Sequence, residues 1–84
     1  MKIEVVNMVG KGDFKHRVDL LKLAELDNVR YNMDINPHIA FIKVKPHLVA
    51  NIYYTGKVMV WGAKTEEELA EACTEVENVV NKIL

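Results

Sequence analysis

At 84 residues the chain has room for one domain over 1–84 with a single core, and a domain this small buries only about 60–65% of the surface its unfolded chain exposes. Half of the residues are hydrophobic and 27% are charged, an ordinary globular composition, and the lone Cys73 excludes an intrachain disulfide. The net charge of −1 hides a segregation: residues 1–64 hold ten of the eleven Lys/Arg and six of the twelve acids, for +4, whereas residues 65–84 set Lys82 against six Glu, for −5. The basic excess is too small to announce a nucleic-acid partner by itself.

Residues 3–9 are β-rich, with Ile3, Val5, Asn7 and Val9 on one face and Val6 and Met8 on the other. Gly10-Lys11-Gly12-Asp13 reads as a break after that strand. Its glycines look like the start of a phosphate loop, but the pattern stops short of one, and a turn is the better reading. Asp13 is placed to cap a helix over 14–25 that would bury Val18, Leu21 and Ala24. Asp27-Asn28 turns the chain into a short strand over 29–33. A strong strand follows over 39–44, and Lys45-Pro46 separates it from the next, over 48–54. Thr55-Gly56 suits a tight hairpin into a last strand over 57–61.

Thr65 then opens the final helix. Thr65-Glu66-Glu67-Glu68 fits a capping box, with three carboxylates at the positive end of the helix. Leu69, Ala72, Val76, Val79 or Val80, and Ile83 form one apolar stripe, and Cys73 reads as a small residue beside it. These elements predict an α+β fold: a five-stranded antiparallel sheet with two helices on one face, in the order β-α-β-β-β-β-α.

Two helices cover only one face of such a sheet, so the other should be polar if it is solvated. The strands are instead apolar on both sides. If Val58 and Val60 face the helices, the open face displays Val9, Tyr53, Met59 and Trp61. A patch of that kind marks a binding surface, or a face covered by a second copy of the chain. No catalytic constellation stands out. His16, His38 and His47 have no metal-ligand spacing and read as surface or turn residues, so no enzyme activity, metal or cofactor is expected. No apolar run reaches the roughly 18 residues of a membrane span, and the N-terminus has no signal-like apolar region, so the expectation is a cytoplasmic protein with no membrane partner.

The stretch Tyr53-Tyr54-Thr55-Gly56-Lys57-Val58-Met59-Val60-Trp61-Gly62-Ala63-Lys64, with Val6-Asn7-Met8-Val9-Gly10 and Lys45-Pro46, resembles one repeat of the TATA-box-binding protein core. The resemblance runs from about Ile3 to Leu84 and implies half of a curved, saddle-shaped sheet whose concave face sits on the minor groove of DNA. It implies that Asn7 reads the groove floor and Val9 lines it. Asn36 stands where the family has its first wedging phenylalanine, followed by Pro37, and Tyr53 stands at the second wedge. Asn51 replaces an apolar groove-lining residue, Met59 a valine and Trp61 a small threonine. Ile42 falls at an arginine that holds the phosphate backbone, and Lys45, Lys57 and Lys64 match basic positions.

The implied interface is therefore Asn7, Val9, Asn36, Asn51, Tyr53, Lys57, Met59 and Trp61. The implied partner is nucleic acid, specifically DNA, bound by a homodimer in transcription or repair. The bulk of Trp61 and the missing wedge at Asn36 argue against a sharp kink, whereas an aromatic face suits unpaired bases. A transcription or repair protein docking on the acidic helix over 66–84 is the alternative. A small molecule using the aromatic face as a pocket floor is a third reading.

Overall fold

A computed structural model describes residues 4–6 and 9–83. Eight elements follow in order: β1 (Glu4–Val6), β2 (Val9–Asp13), α1 (Leu20–Leu23), β3 (Val29–Arg30), β4 (Ile39–Lys45), β5 (Leu48–Tyr53), β6 (Lys57–Trp61) and α2 (Glu66–Asn81). All strand pairings are antiparallel, and the strands lie in the order β1-β2-β6-β5-β4-β3. The expected α+β class and element order are present in β2 to β6 and the two helices.

The start of the chain differs from expectation. Instead of one strand over 3–9, Glu4–Val6 pairs back on β2 as a short outer strand, with Val6 opposite Val9 and Glu4 opposite Lys11. Gly10-Lys11-Gly12, read as a turn, lies inside β2, where Gly10 and Gly12 face Val60 and Val58. Two residues without side chains on the inward face leave room beside those valines.

The first helix is also shorter than expected. Only Leu20–Leu23 is helical, and its N-cap is Asp19, whose carboxylate accepts from Leu21 N and Lys22 N. Asp13 caps nothing beyond Lys15 N. Two donors of segment 14–18 go elsewhere: Phe14 N–H donates to Gly56 O and Val18 N–H to Tyr54 O, both at 2.9 Å. This ties the segment to the β5–β6 hairpin and away from a helical ladder. The buried face consequently shifts to Val18, Leu20 and Leu23, and Leu21 is exposed. Gly56 makes the approach possible. Its φ of +97° suits the three-residue loop, and a Cβ there would run into the His16 carbonyl.

The second helix forms as its sequence dictates. Thr65 Oγ1 accepts from Glu68 N at 3.1 Å, and Glu68 Oε1 reaches back to Lys64 N at 2.8 Å, one residue before the usual capping-box partner. Leu69, Ala72, Val76 and both Val79 and Val80 are buried, with Ile83 packed at the edge. They close over Ala40, Ile42, Ala50, Ile52, Val58 and Val60, the inward residues of β4, β5 and β6. Each fully buried valine or leucine is worth about 1.5–3 kcal/mol, so this one layer supplies most of the cohesion. No helix among the described residues is long and apolar enough to cross a membrane.

Candidate nucleic-acid interface

Strict alternation on β4, β5 and β6 sorts every second residue onto the face away from the helices. The register then assembles those residues into rows. One row runs across five strands as Arg30, Phe41, Asn51, Met59 and Lys11, each opposite the next. A second runs Lys43, Val49, Trp61, and one further step of the β2–β6 register brings Val9 beside Trp61. A third pairs Ile39 with Tyr53 and, on the other side, Asp13 with Lys57.

The centre of this face is half-buried and apolar. Two rings stand out from it, Phe41 at 42% exposure and Trp61 at 45%. Tyr53 lies down instead: it is half-buried, and its hydroxyl donates to Met59 Sδ at 3.8 Å, across the diagonal between adjacent strands. Four exposed cations, Lys11, Arg30, Lys43 and Lys57, surround the rings, with Asp13 opposite Lys57 and the β1 position Glu4 opposite Lys11. None of the four is ion-paired to a described carboxylate. The acids gather on the far side of the sheet, on α2.

The structure thus brings Val9, Asn51, Tyr53, Lys57, Met59 and Trp61 onto one face. Asn36 is not on it: it sits in the turn before β4, where its Oδ1 accepts from His38 N at 3.2 Å. Asn7 lies outside the described residues. Ile42, read as replacing a backbone-holding arginine, points into the core and is only 1% exposed. Phe41, Lys11, Arg30, Lys43, Ile39 and Val49 join the face without having been picked out from the sequence. The alternation of β4, with Ala40 and Ile42 inward, was the signal that would have found Phe41 and Lys43.

Lys45 serves the other side of the molecule. Its Nζ lies 3.1 Å from Glu71 Oε2 and 3.9 Å from Glu68 Oε2, and His47 Nε2 lies 2.6 Å from the same Glu68 oxygen. This cluster ties the β4–β5 turn to the start of α2. The Lys64 backbone N–H, then His47 and Lys45, hold the Glu68 carboxyl below its ordinary value, and the hydrogen bond and charge of Glu71 raise Lys45. Gly62, with φ +85°, lets the exit of β6 pass the same turn, since a Cβ there would meet the His47 carbonyl. His38 lies against the Tyr54 ring, and His16 Nδ1 lies 3.0 Å from Arg17 O. Among the described residues no group of three or more His, Cys, Asp or Glu gathers that could hold a metal ion. Burial, reinforced by the Glu77 carboxylate at 3.0 Å, pushes the Cys73 thiol up to about 11 and so keeps it protonated.

Comparison with known proteins gives one family. The family profile described as "Transcription factor TFIID (or TATA-binding protein, TBP)" matches residues 2–83. The TATA-box-binding protein of Bombyx mori is 35% identical over 74 residues, 86% of this chain and 24% of that protein. That of Pyrobaculum neutrophilum is 39% identical over 69 residues, 81% of this chain and 35% of that protein. The solved structure of Methanococcus jannaschii TBP superimposes with a TM-score of 0.75 at 22% identity, covering 88% of this chain and 43% of that one. The chain therefore spans about a quarter to two-fifths of the length of these relatives.

Proposed function

The chain belongs to the TATA-box-binding protein family, and from that premise we propose that it is a non-catalytic DNA-binding module that works through its open sheet face, as a homodimer, in transcription or repair. One observation carries the reading. The sheet face left free by the helices presents Phe41 and Trp61 within a ring of four cations, while the six carboxylates of α2 lie on the opposite side. Cations around a surface of this kind neutralise phosphates, and the apolar centre approaches sugars and bases.

The homodimer reading is supported by size and charge. The chain covers 43% of its structural neighbour, so a second copy would bring the assembly to a comparable size. Pressing two open faces together would bring the four cations of one toward the four of the other, which disfavours that arrangement. Edge-to-edge association keeps both faces on the same side, and of the two outermost strands, β1 and β3, β1 is the longer and serves as the dimer edge.

Two measurements test this. Binding to a mixed-sequence DNA duplex, followed by anisotropy over a salt series, should weaken linearly on logarithmic axes, and Lys43→Ala should reduce that slope by about one phosphate contact. Binding that ignores salt counts against the reading. Sedimentation equilibrium at high micromolar concentration should give twice the chain mass, and a monomer there contradicts the dimer.

A further inference from the structure

Resting on the DNA-binding reading, we propose that the open face is built for single-stranded DNA, with unpaired bases stacked on Phe41 and Trp61 and their phosphates held by Arg30, Lys43 and Lys11. Among the described residues of this face these are the two large apolar side chains that stand exposed; Val9, Ile39, Val49, Tyr53 and Met59 are half-buried. Phe41 lies on β4 and Trp61 on β6, in adjacent rows of the register. With strands ~4.8 Å apart and ~6.8 Å between successive side chains on one face, the rings are separated by roughly 12 Å. That distance is too great for one base to touch both and suits two bases of one strand. Asn51 lies on β5, the strand between theirs, in the row of Phe41 and opposite both Phe41 and Met59, where its amide meets a base edge.

Each ring also has a cation in its own row. Arg30 is the cross-strand neighbour of Phe41, and Lys43 shares a row with Trp61. A sugar–phosphate backbone crossing the strands along either row meets positive charge beside the stacking surface. This is the combination that binds single strands with little regard to sequence.

A duplex fits this face less well. Its minor groove is about 6 Å wide, so a tryptophan and a phenylalanine that both stand out from the sheet enter it together only if the groove is forced open and steps are unstacked. The residue placed to wedge, Tyr53, lies along the sheet on Met59 Sδ. Unpaired bases need no unstacking from a partner strand.

The test uses the full chain, a labelled short oligodeoxythymidine and the same strand annealed to its complement, each followed by anisotropy at low and physiological salt. The single strand should bind at least about tenfold tighter than the duplex, and Phe41→Ala or Trp61→Ala should each weaken it by about tenfold or more. Phe41→Leu keeps the apolar contact and removes the ring, and Trp61→Phe keeps a ring and should retain most of the affinity, so a misfolded alanine variant does not spoil the test. Duplex binding as tight as single-strand binding overturns this inference and leaves the DNA-binding reading standing. Single-strand binding that survives loss of both rings, or that polyglutamate displaces as well as unlabelled oligonucleotide does, also overturns it. Binding to neither DNA overturns both.

Discussion

The two faces of the sheet are made by the same strands and differ by one residue of register. Inward lie Ala40, Ile42, Ala50, Ile52, Val58 and Val60, essentially inaccessible beneath α2. Outward, one position along each strand, lie Phe41, Asn51, Met59 and Trp61, which neither helix covers. Both sets are largely apolar, so hydrophobicity alone does not distinguish core from site. What distinguishes them is how the surroundings are charged and how small the inward residues are. Alanines and β-branched residues pack closely under a helix, whereas the outward set carries rings and is fringed by Lys and Arg. Stability and binding should therefore separate cleanly by face, and substitutions can break or sharpen that division.

The largest expected effect is on the inward side. Ile52→Ala, at a position with 0% exposure between Ala40 and Val58, should cost about 2–5 kcal/mol by denaturant unfolding. Truncation of Trp61 or Phe41 should instead cost about 0.5–1 kcal/mol or less while weakening DNA binding. Comparable losses at Ile52 and Trp61 would show that the outward face is also buried, as a dimer stacked face to face would require.

Gly56→Ala should cost about 1–3 kcal/mol, because the positive φ and the approach of the His16 carbonyl both act against a side chain. It should loosen segment 14–18 more than α2, and amide exchange at Phe14 and Val18 reports this directly. Uniform loosening of the whole domain would contradict the assignment of those donors to the hairpin.

A smaller effect tests the cluster that fixes the helix to the sheet. The folded state lowers the Glu68 carboxyl, so its contribution is fully present above the ordinary glutamate value of about 4.3 and is lost as pH falls through the lowered value. Melting temperature should drop across that acid range, and Glu68→Gln should flatten the drop while leaving DNA binding at neutral pH unchanged. An acid limb unaltered in that variant would place the pH dependence elsewhere. Smallest of all, Cys73 should alkylate slowly at neutral pH, since its thiol is pushed up to about 11. Rapid labelling at neutral pH would contradict that burial.

Local signals made α2, β5 and β6 legible in the sequence. The Thr65–Glu68 pair marks the helix start, and Val58 and Val60 against Met59 and Trp61 mark a strand with two different faces. The first helix was misplaced because Asp13 is a good cap in isolation. The bonds from Phe14 and Val18 to the β5–β6 hairpin are tertiary, and nothing near residues 14–18 announces them. The pairing of Glu4–Val6 on β2 is hidden for the same reason, since Gly10 and Gly12 read as a turn until β6 is seen beside them. The site was legible where it rests on alternation, as at Asn51, Tyr53, Met59 and Trp61. Two family-matched positions lie off this face: Asn36 sits in the turn before β4, and Ile42 points inward. Following the alternation of β4 through would have replaced both with Phe41 and Lys43.

The division of labour between the faces rests on nucleic acid touching the outward one. Trp61 is the single tryptophan, it stands at 45% exposure on that face, and its fluorescence is a built-in reporter. Titration with DNA at low and at physiological salt should quench it saturably, with affinity that falls as salt rises. Fluorescence unchanged at tens of micromolar DNA, with the domain folded, would contradict the account.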